Sequence, residues 1–417
     1  MTGERIRSSL QAGRPLRRQL VATVITRLDG GAGALALCGV LGLDRDAFQP
    51  LVITGSGGRL LDKAADNGVQ VVIEPMLRPA IAPVSDLRAT RWLAALLAER
   101  RPDVVHTHCA KAGAIGRLAA RRAGTARIVH TYHGFPFHEF QSAARRSAYI
   151  QIERRLGRIT DVGLCVGTGV AVEAIRRELL PPERVRTIGV TVAGACQHVR
   201  HDAAALDPAA VRRARRRLGV RDGSVIVGAV GRLTYQKAPE DFISAVGALN
   251  RSDVIGVWVG GGELADRVAR RARSAGLRIV LTGDRADIAD LLPAFDVFAL
   301  PSLYEGLPTA IAEAMACGVP VVATAVNAVA DLVEPGVTGL LVPPARPELM
   351  ASAIECLLDS PAAAARMATA ARSRLGHRYS EQALQAALIA AYHPKTRPEL
   401  GLYSWEEAAA DPVWAGS

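Results

Sequence analysis

Short apolar runs rich in valine and isoleucine recur along this chain, each followed by a segment long enough for a helix, and the series occurs twice. In the first half the runs are LVATVI, QPLVIT, VQVVI, DVVHTH and ARIVHTY; in the second they are SVIVGAV, VIGVWVG, RIVLTG, DVFALP, VPVVAT and TGLLV. Strand and helix alternating in this way build parallel sheets with helices on both faces. The helical segments of the second series centre on Phe242, Ala269, Leu291, Ala312 and Leu332. Near Ala193 to Pro208 the pattern fades into a polar, alanine-rich stretch that reads as a linker. The expected fold class is α/β: two Rossmann-like, doubly wound domains, residues 1–195 and 209–392, facing each other across a cleft. The tail, 393–417, either packs back on the first domain or stays disordered. Ligands of open parallel sheets bind beyond the carboxyl ends of the strands, so the site is expected in the cleft.

Composition narrows what such a fold can be doing. With 417 residues, 49% of them hydrophobic, the chain can bury a core in each of two domains. Its net charge of +11 admits a nucleic acid, an anionic membrane face or an acidic small substrate. The arginines fall inside helical patterns, as in RRARRRLG from Arg212 and RVARRARSAG from Arg267, without the interleaved aromatics that stack single-stranded bases. They read as solvated helix faces, and a nucleic-acid partner is not expected. Cys38, Cys109, Cys165, Cys196, Cys317 and Cys356 are dispersed, with no CxxC pair, which favours a reduced, cytoplasmic setting. The basic N-terminus lacks a signal-peptide core, and no stretch approaches the roughly 20 apolar residues of a membrane span. The expectation is a soluble protein, at most bound peripherally to a membrane.

The segment Ser302 to Gly318, SLYEGLPTAIAEAMACG, carries the most chemistry. A strand end, a Gly-Leu-Pro turn and an amphipathic helix place Glu305 ahead of the helix and Glu313 inside it. The N–H groups of Gly306, Leu307, Thr309 and Ala310 gather at the helix start, where the dipole favours an anion such as a diphosphate; Pro308 donates none. Taken alone, the pattern also fits an acidic helix cap.

EGLPTAIAEAMACGVPVVAT resembles the Glu-x7-Glu signature of glycosyltransferase family 4, retaining enzymes of the GT-B fold. Further family-like pieces follow in order over roughly residues 20 to 375: RLDGGAG, VHTHCAKAGAIGRLAARRAG, VHTYHGFPFHEF, VGRLTYQKAPEDFISAV, VGGGE and LVEPGVTGLLVPP. The resemblance implies a donor that is a nucleoside-diphosphate sugar, with UDP as the expected nucleotide, and a hydroxyl acceptor that is small, lipid-linked or peptidic. It implies no cofactor and no metal. Glu313 matches the glutamate that holds the donor ribose, and Glu305 the one near the transferred sugar. Arg232 and Lys237, in VGRLTYQK, match the pair that neutralises the departing diphosphate. His133, in HGF, matches the histidine lining the donor sugar. Gly30, Gly31 and Gly33 follow the first strand, where glycine lets backbone approach a ligand, although a tight turn would use the same residues.

Other features pull differently. His106, His108, His130 and His138 surround His133 in sequence, yet no carboxylate lies at a ligand spacing, so buried, hydrogen-bonded imidazoles are expected. Asp44 and Asp46 form an Asp-x-Asp string in LGLDRDAFQP, which reads as an exposed turn. NAVAD, with Asn327, Ala328 and Asp331, replaces the family's usual Gly-Gly-x-x-Glu, and TIGVTVAGACQ replaces its usual hinge segment. The expected activity is retaining glycosyl transfer. A sugar-nucleotide epimerase or hydrolase on the same architecture is the enzymatic alternative, and a basic nucleic-acid-binding protein the non-catalytic one.

Overall fold

The structure is a computed structural model; it describes residues 17–191, 207–221, 223–376 and 379–393. The expected linker falls almost wholly outside them, as does all of the 393–417 tail but its first residue.

The first domain runs β1 (Gln19–Leu28), α1 (Gly30–Leu41), β2 (Phe48–Gly57), α2 (Arg59–Asp66), β3 (Gln70–Ile73), α3 (Pro83–Arg100), β4 (Val104–His108), α4 (Ala110–Ala123), β5 (Arg127–Tyr132), α5 (Ala143–Gly157), β6 (Val162–Cys165), α6 (Thr168–Arg176) and β7 (Val185–Thr187). The second opens with α7 (Pro208–Leu218), β8 (Val225–Val230), α8 (Pro239–Ala248), β9 (Val254–Val259), α9 (Ala265–Ser274) and β10 (Ile279–Leu281). It continues with α10 (Ile288–Leu291), β11 (Val297–Leu300), α11 (Thr309–Ala316), β12 (Val321–Thr324), α12 (Val329–Leu332) and β13 (Leu340–Val342), and ends in α13 (Pro347–Asp359), α14 (Pro361–Leu375) and α15 (Glu381–Tyr392).

Both sheets are parallel, in the orders β3-β2-β1-β4-β5-β6-β7 and β10-β9-β8-β11-β12-β13. In each, the order reverses beside the first strand, β1 or β8, and that reversal opens the crevice in which ligands of doubly wound folds bind. The first domain holds two strands that periodicity does not reveal. VGLC and VRT are too short and too mixed to stand out as apolar runs, and they become strands because β5 offers an edge on which they add in turn.

The two cores are not separate. One buried apolar cluster passes from Tyr132, Val166 and Val170 of the first domain to Leu307, Ala328 and Val329 of the second. It also takes in Leu384, Leu388 and Tyr392 of α15. By sequence order this last helix belongs to the second series. It lies instead on the first domain: Gln385 donates to the carbonyls of Cys38 and Gly39, and Arg127 donates to the carbonyl of Ala391.

Four cysteines, Cys38, Cys109, Cys165 and Cys356, are free thiols. Cys317 is disulfide-bonded, so the wholly reduced set expected from dispersed cysteines does not hold at that position. Among the described residues no helix is long and apolar enough to cross a membrane.

Deep in the first domain Arg117, fully buried, bridges α4 to α5 through Glu153 at 2.8 Å and donates to the Gly113 carbonyl at 2.8 Å. Removing one partner strands a charge in the core. Glu153→Ala is therefore expected to cost about 3–5 kcal/mol of unfolding free energy, read by urea denaturation. A loss below about 1 kcal/mol would mean that Arg117 finds water or another partner.

Candidate active site

Glu305, Arg232 and His133 follow strand ends, and Glu313 lies in the helix after β11. Glu305 follows β11 and is 7% exposed. Its Oε1 accepts from Lys237 Nζ at 2.5 Å and from Ser302 Oγ at 2.6 Å, and Oε2 accepts from Gln236 Nε2 at 3.4 Å. Its backbone N–H donates to Asn327 Oδ1 at 3.1 Å. The carboxylate is thus held from three sides before any ligand arrives. Ser302, Gln236 and Asn327 are positioning residues that sequence reasoning did not assign. Asn327 stood out there only as a departure, and its φ of 45° is one that asparagine tolerates better than most side chains.

Beyond Glu305 the chain turns into α11. The N–H groups of Gly306, Leu307, Thr309 and Ala310 meet no acceptor among the described residues, whereas Ile311 and Ala312 already bond back to the Pro308 carbonyl. N–H donors left free at a helix start are the kind of group that suits an anion. Lys237, tied to Glu305, brings a cation beside it. Arg232 follows β8, is exposed, and forms no ion pair among the described residues. Glu313, one turn into α11, is partly buried, and burial raises its carboxyl above the usual range. No described residue hydrogen-bonds to that carboxylate, which leaves it to accept from a ligand.

Across the cleft, the His133 carbonyl packs on Gly306. A Cβ at Gly306 would lie 1.8 Å from that oxygen, so glycine alone allows the approach. The three glycines after β1 divide. Gly30 takes a φ of 62°, Gly31 faces Thr309 across the cleft so closely that a Cβ would lie 3.0 Å from its Oγ1, and Gly33 packs against the Leu28 backbone of its own domain. Gly31 lies at the interdomain site, and Gly33 serves the strand-to-helix turn.

The histidines form a buried, hydrogen-bonded set. His133 Nε2 pairs with His108 Nδ1 at 2.9 Å, and the His108 ring lies 4.2 Å from that of His106. His106 bridges Tyr392 of α15 and Thr131, at 2.8 and 2.7 Å, and His130 bonds Thr107 at 2.8 Å. Desolvation holds all four below the ordinary imidazole value of 6.5: His106 to about 3, His133 to about 4, and His108 and His130 well below it. Among the described residues no three His, Cys, Asp or Glu side chains are grouped to hold a metal ion. Asp44 and Asp46 lie in the exposed α1–β2 turn, where Asp44 Oδ1 caps the Asp46 N–H; that turn feeds the amino end of β2, away from the carboxyl ends that line the cleft.

Two family models match this chain: Glycosyltransferase Family 4 over residues 30–192 and Glycosyl transferases group 1 over residues 224–360. The Escherichia coli UDP-Gal:alpha-D-GlcNAc-diphosphoundecaprenol alpha-1,3-galactosyltransferase is 31% identical over 307 residues, covering 72% of this chain and 77% of that protein. The chain is a family 4-type glycosyltransferase. Another relative is the alpha-D-kanosaminyltransferase of Streptomyces kanamyceticus, 31% identical over 72% of this chain and 78% of its own length. Anabaena HepE, solved with UDP and glucose, shares the two-domain GT-B fold, with a TM-score of 0.76 at 21% identity over 89% of this chain and 99% of its own.

In this glycosyltransferase the histidine set predicts an acid limit. Each folded-state pKa lies below the unfolded value, so the unfolded chain binds protons first as pH falls. Stability should be level above about pH 6.5 and decline below it by up to about 1.4 kcal/mol per pH unit for each buried histidine. Denaturation midpoints compared between about pH 7.5 and about pH 5 read this directly; an unchanged midpoint would show that the imidazoles protonate in place.

Proposed function

We propose that the enzyme transfers a hexose from a UDP-sugar, with retention at the anomeric carbon, to a hydroxyl of a saccharide or lipid-linked acceptor. The observation that carries this reading is the start of α11: four unsatisfied backbone N–H groups beside Lys237, facing the His133 carbonyl across the cleft. A diphosphate fits such a cradle, and charge that grows on it as the glycosyl bond breaks is stabilised by groups already in place. No metal is required in this reading, because Lys237, Arg232 and the helix start supply the positive potential. Glu313 accepts from the donor ribose. Glu305 stands beside the sugar. Its Oε1 is engaged by Lys237 and Ser302, which supports attack on the donor face where the diphosphate leaves, with a phosphate oxygen taking the acceptor proton.

The diphosphoundecaprenol-linked substrate in the name of the E. coli relative supports a lipid-linked acceptor, and with it an enzyme that meets a membrane face peripherally. Incubation with a panel of UDP-sugars and candidate acceptors in excess EDTA should give an α-linked product from an α-linked donor, read by NMR. A β-linked first product defeats the retaining assignment, loss of transfer restored by Mg or Mn defeats metal independence, and turnover of donor without acceptor supports a hydrolase or epimerase.

The two glutamates should separate kinetically. Ribose binding changes little between ground and transition states, so Glu313→Ala should chiefly raise the donor KM. Glu305→Gln removes charge where the anomeric carbon turns positive and should chiefly lower kcat. Each effect is expected at about ten- to a hundredfold, the worth of a charge-assisted hydrogen bond. Folded variants that change both constants by less than about twofold would return the two residues to a helix-capping role.

A further inference from the structure

A cavity of about 460 Å³ opens beside Glu305, between the segment that joins β5 to α5 and two tyrosines of the second domain. Its first-domain wall holds Phe135, His138, Phe140 and Arg145, and its second-domain wall holds Tyr235 and Tyr304. The chain has only seven phenylalanines and seven tyrosines, so two of each on one cavity is a local concentration. Tyr304 stacks on His138 with centroids 4.0 Å apart and planes 9° from parallel, and Phe140 meets Tyr235 edge-on at 6.4 Å. Both contacts bridge the domains. Tyr235 and Phe140 are nevertheless 56% and 44% exposed, which is a large aromatic area left open to water.

Two polar groups on these walls are incompletely used. His138 Nδ1 is buried without a hydrogen-bond partner. The Arg145 guanidinium donates to the Tyr149 hydroxyl at 3.4 Å and lies 5.7 Å from that ring's centre; it meets no carboxylate among the described residues. The cavity also has a fixed place relative to the chemistry. Tyr304 precedes Glu305 in the chain, and Tyr235 lies between Arg232 and Lys237.

We propose that this cavity is the acceptor subsite, and that it takes a hydroxylated ring, a saccharide or cyclitol, carrying an anionic group such as a phosphate. Aromatic faces cover the C–H face of such a ring, His138 Nδ1 meets one of its hydroxyls, and the Arg145 guanidinium reads the anion. Because the walls come from both domains, the subsite is complete only when the cleft is closed, which places the acceptor hydroxyl at the sugar end of the donor. This proposal rests on the glycosyltransfer reading, whose donor site is tested separately below. The anion has two sources, a free sugar phosphate and the phosphate of a lipid-linked sugar, and they differ only in what lies beyond the phosphate.

The test uses the full chain saturated with UDP, and calorimetric titration with glucose 1-phosphate, N-acetylglucosamine 1-phosphate, myo-inositol 1-phosphate, the corresponding methyl glycosides, inorganic phosphate, and a short-chain polyprenyl diphosphate N-acetylglucosamine. At least one phosphorylated ring should bind. Arg145→Gln should weaken it by about tenfold or more while changing the neutral glycoside by less than about twofold. Phe140→Ala should weaken both ring classes by a similar factor and leave UDP affinity unchanged. Tighter binding of the polyprenyl compound identifies the lipid source, and equal binding the free phosphate. The proposal is overturned if no phosphorylated ring binds, if Arg145→Gln binds like the parent, or if Phe140→Ala weakens UDP, which would make the cavity part of the nucleotide site. Failure of the parent enzyme to bind UDP would instead overturn the donor reading.

Discussion

At Gly306 two polypeptide backbones meet with no side chain between them, and the rest of the site depends on that approach. The His133 carbonyl lies where any Cβ would stand, so one domain can close on the other only at a glycine. Gly169 repeats the condition opposite the Asn327 backbone, while Gly167 and Gly31 approach the side chains of Ala328 and Thr309. Each contact sets a strand end of the first domain against a loop or helix start of the second. The turn that leads into α11 thereby lies against the first-domain segment that carries His133.

The two walls achieve rigidity by different physics. On the second-domain side the device is ionic. Lys237, Ser302 and Asn327 hold Glu305 through its carboxylate and its backbone, so the group most exposed to changes of charge in the reaction needs little reorganisation. On the first-domain side the device is a set of neutral imidazoles, kept uncharged by burial: His133 is hydrogen-bonded to His108, the His108 ring packs on that of His106, and His106 is hydrogen-bonded to Tyr392 on α15. The helix that closes the described chain is therefore bonded to the set that contains His133. Asp331, standing where a longer acid is usual in the family, is used to accept from the Thr168 N–H across the domains. The departure from the family pattern thus has an interdomain contact to maintain.

Much of this was legible in the residues. All six strands of the second domain appear as apolar runs, because a parallel strand buried on both faces has to be apolar throughout. The pairing of strand end, glycine turn and helix in 302–318 was readable from local pattern, and the helix stands at Thr309–Ala316. Less legible were β6 and β7, whose strand character comes from the neighbouring edge and not from their own composition. The position of α15 was hidden too, since its amphipathic pattern fits any apolar surface and says nothing of which domain provides it.

By itself, then, the sequence determined the order of elements, the doubly wound class and the residues that carry charge at strand ends, because these follow from periodicity and from chemistry within a few residues. Tertiary structure alone decided which glycine faces the other domain, that Lys237 is tied to Glu305, that Asn327 holds the Glu305 backbone and that Phe140, Arg145, Tyr235 and Tyr304 share one cavity. Those relations join residues as far apart in the chain as Gly31 and Thr309. Local pattern carries no information about which distant strand ends will face each other; the packing of the two domains supplies it.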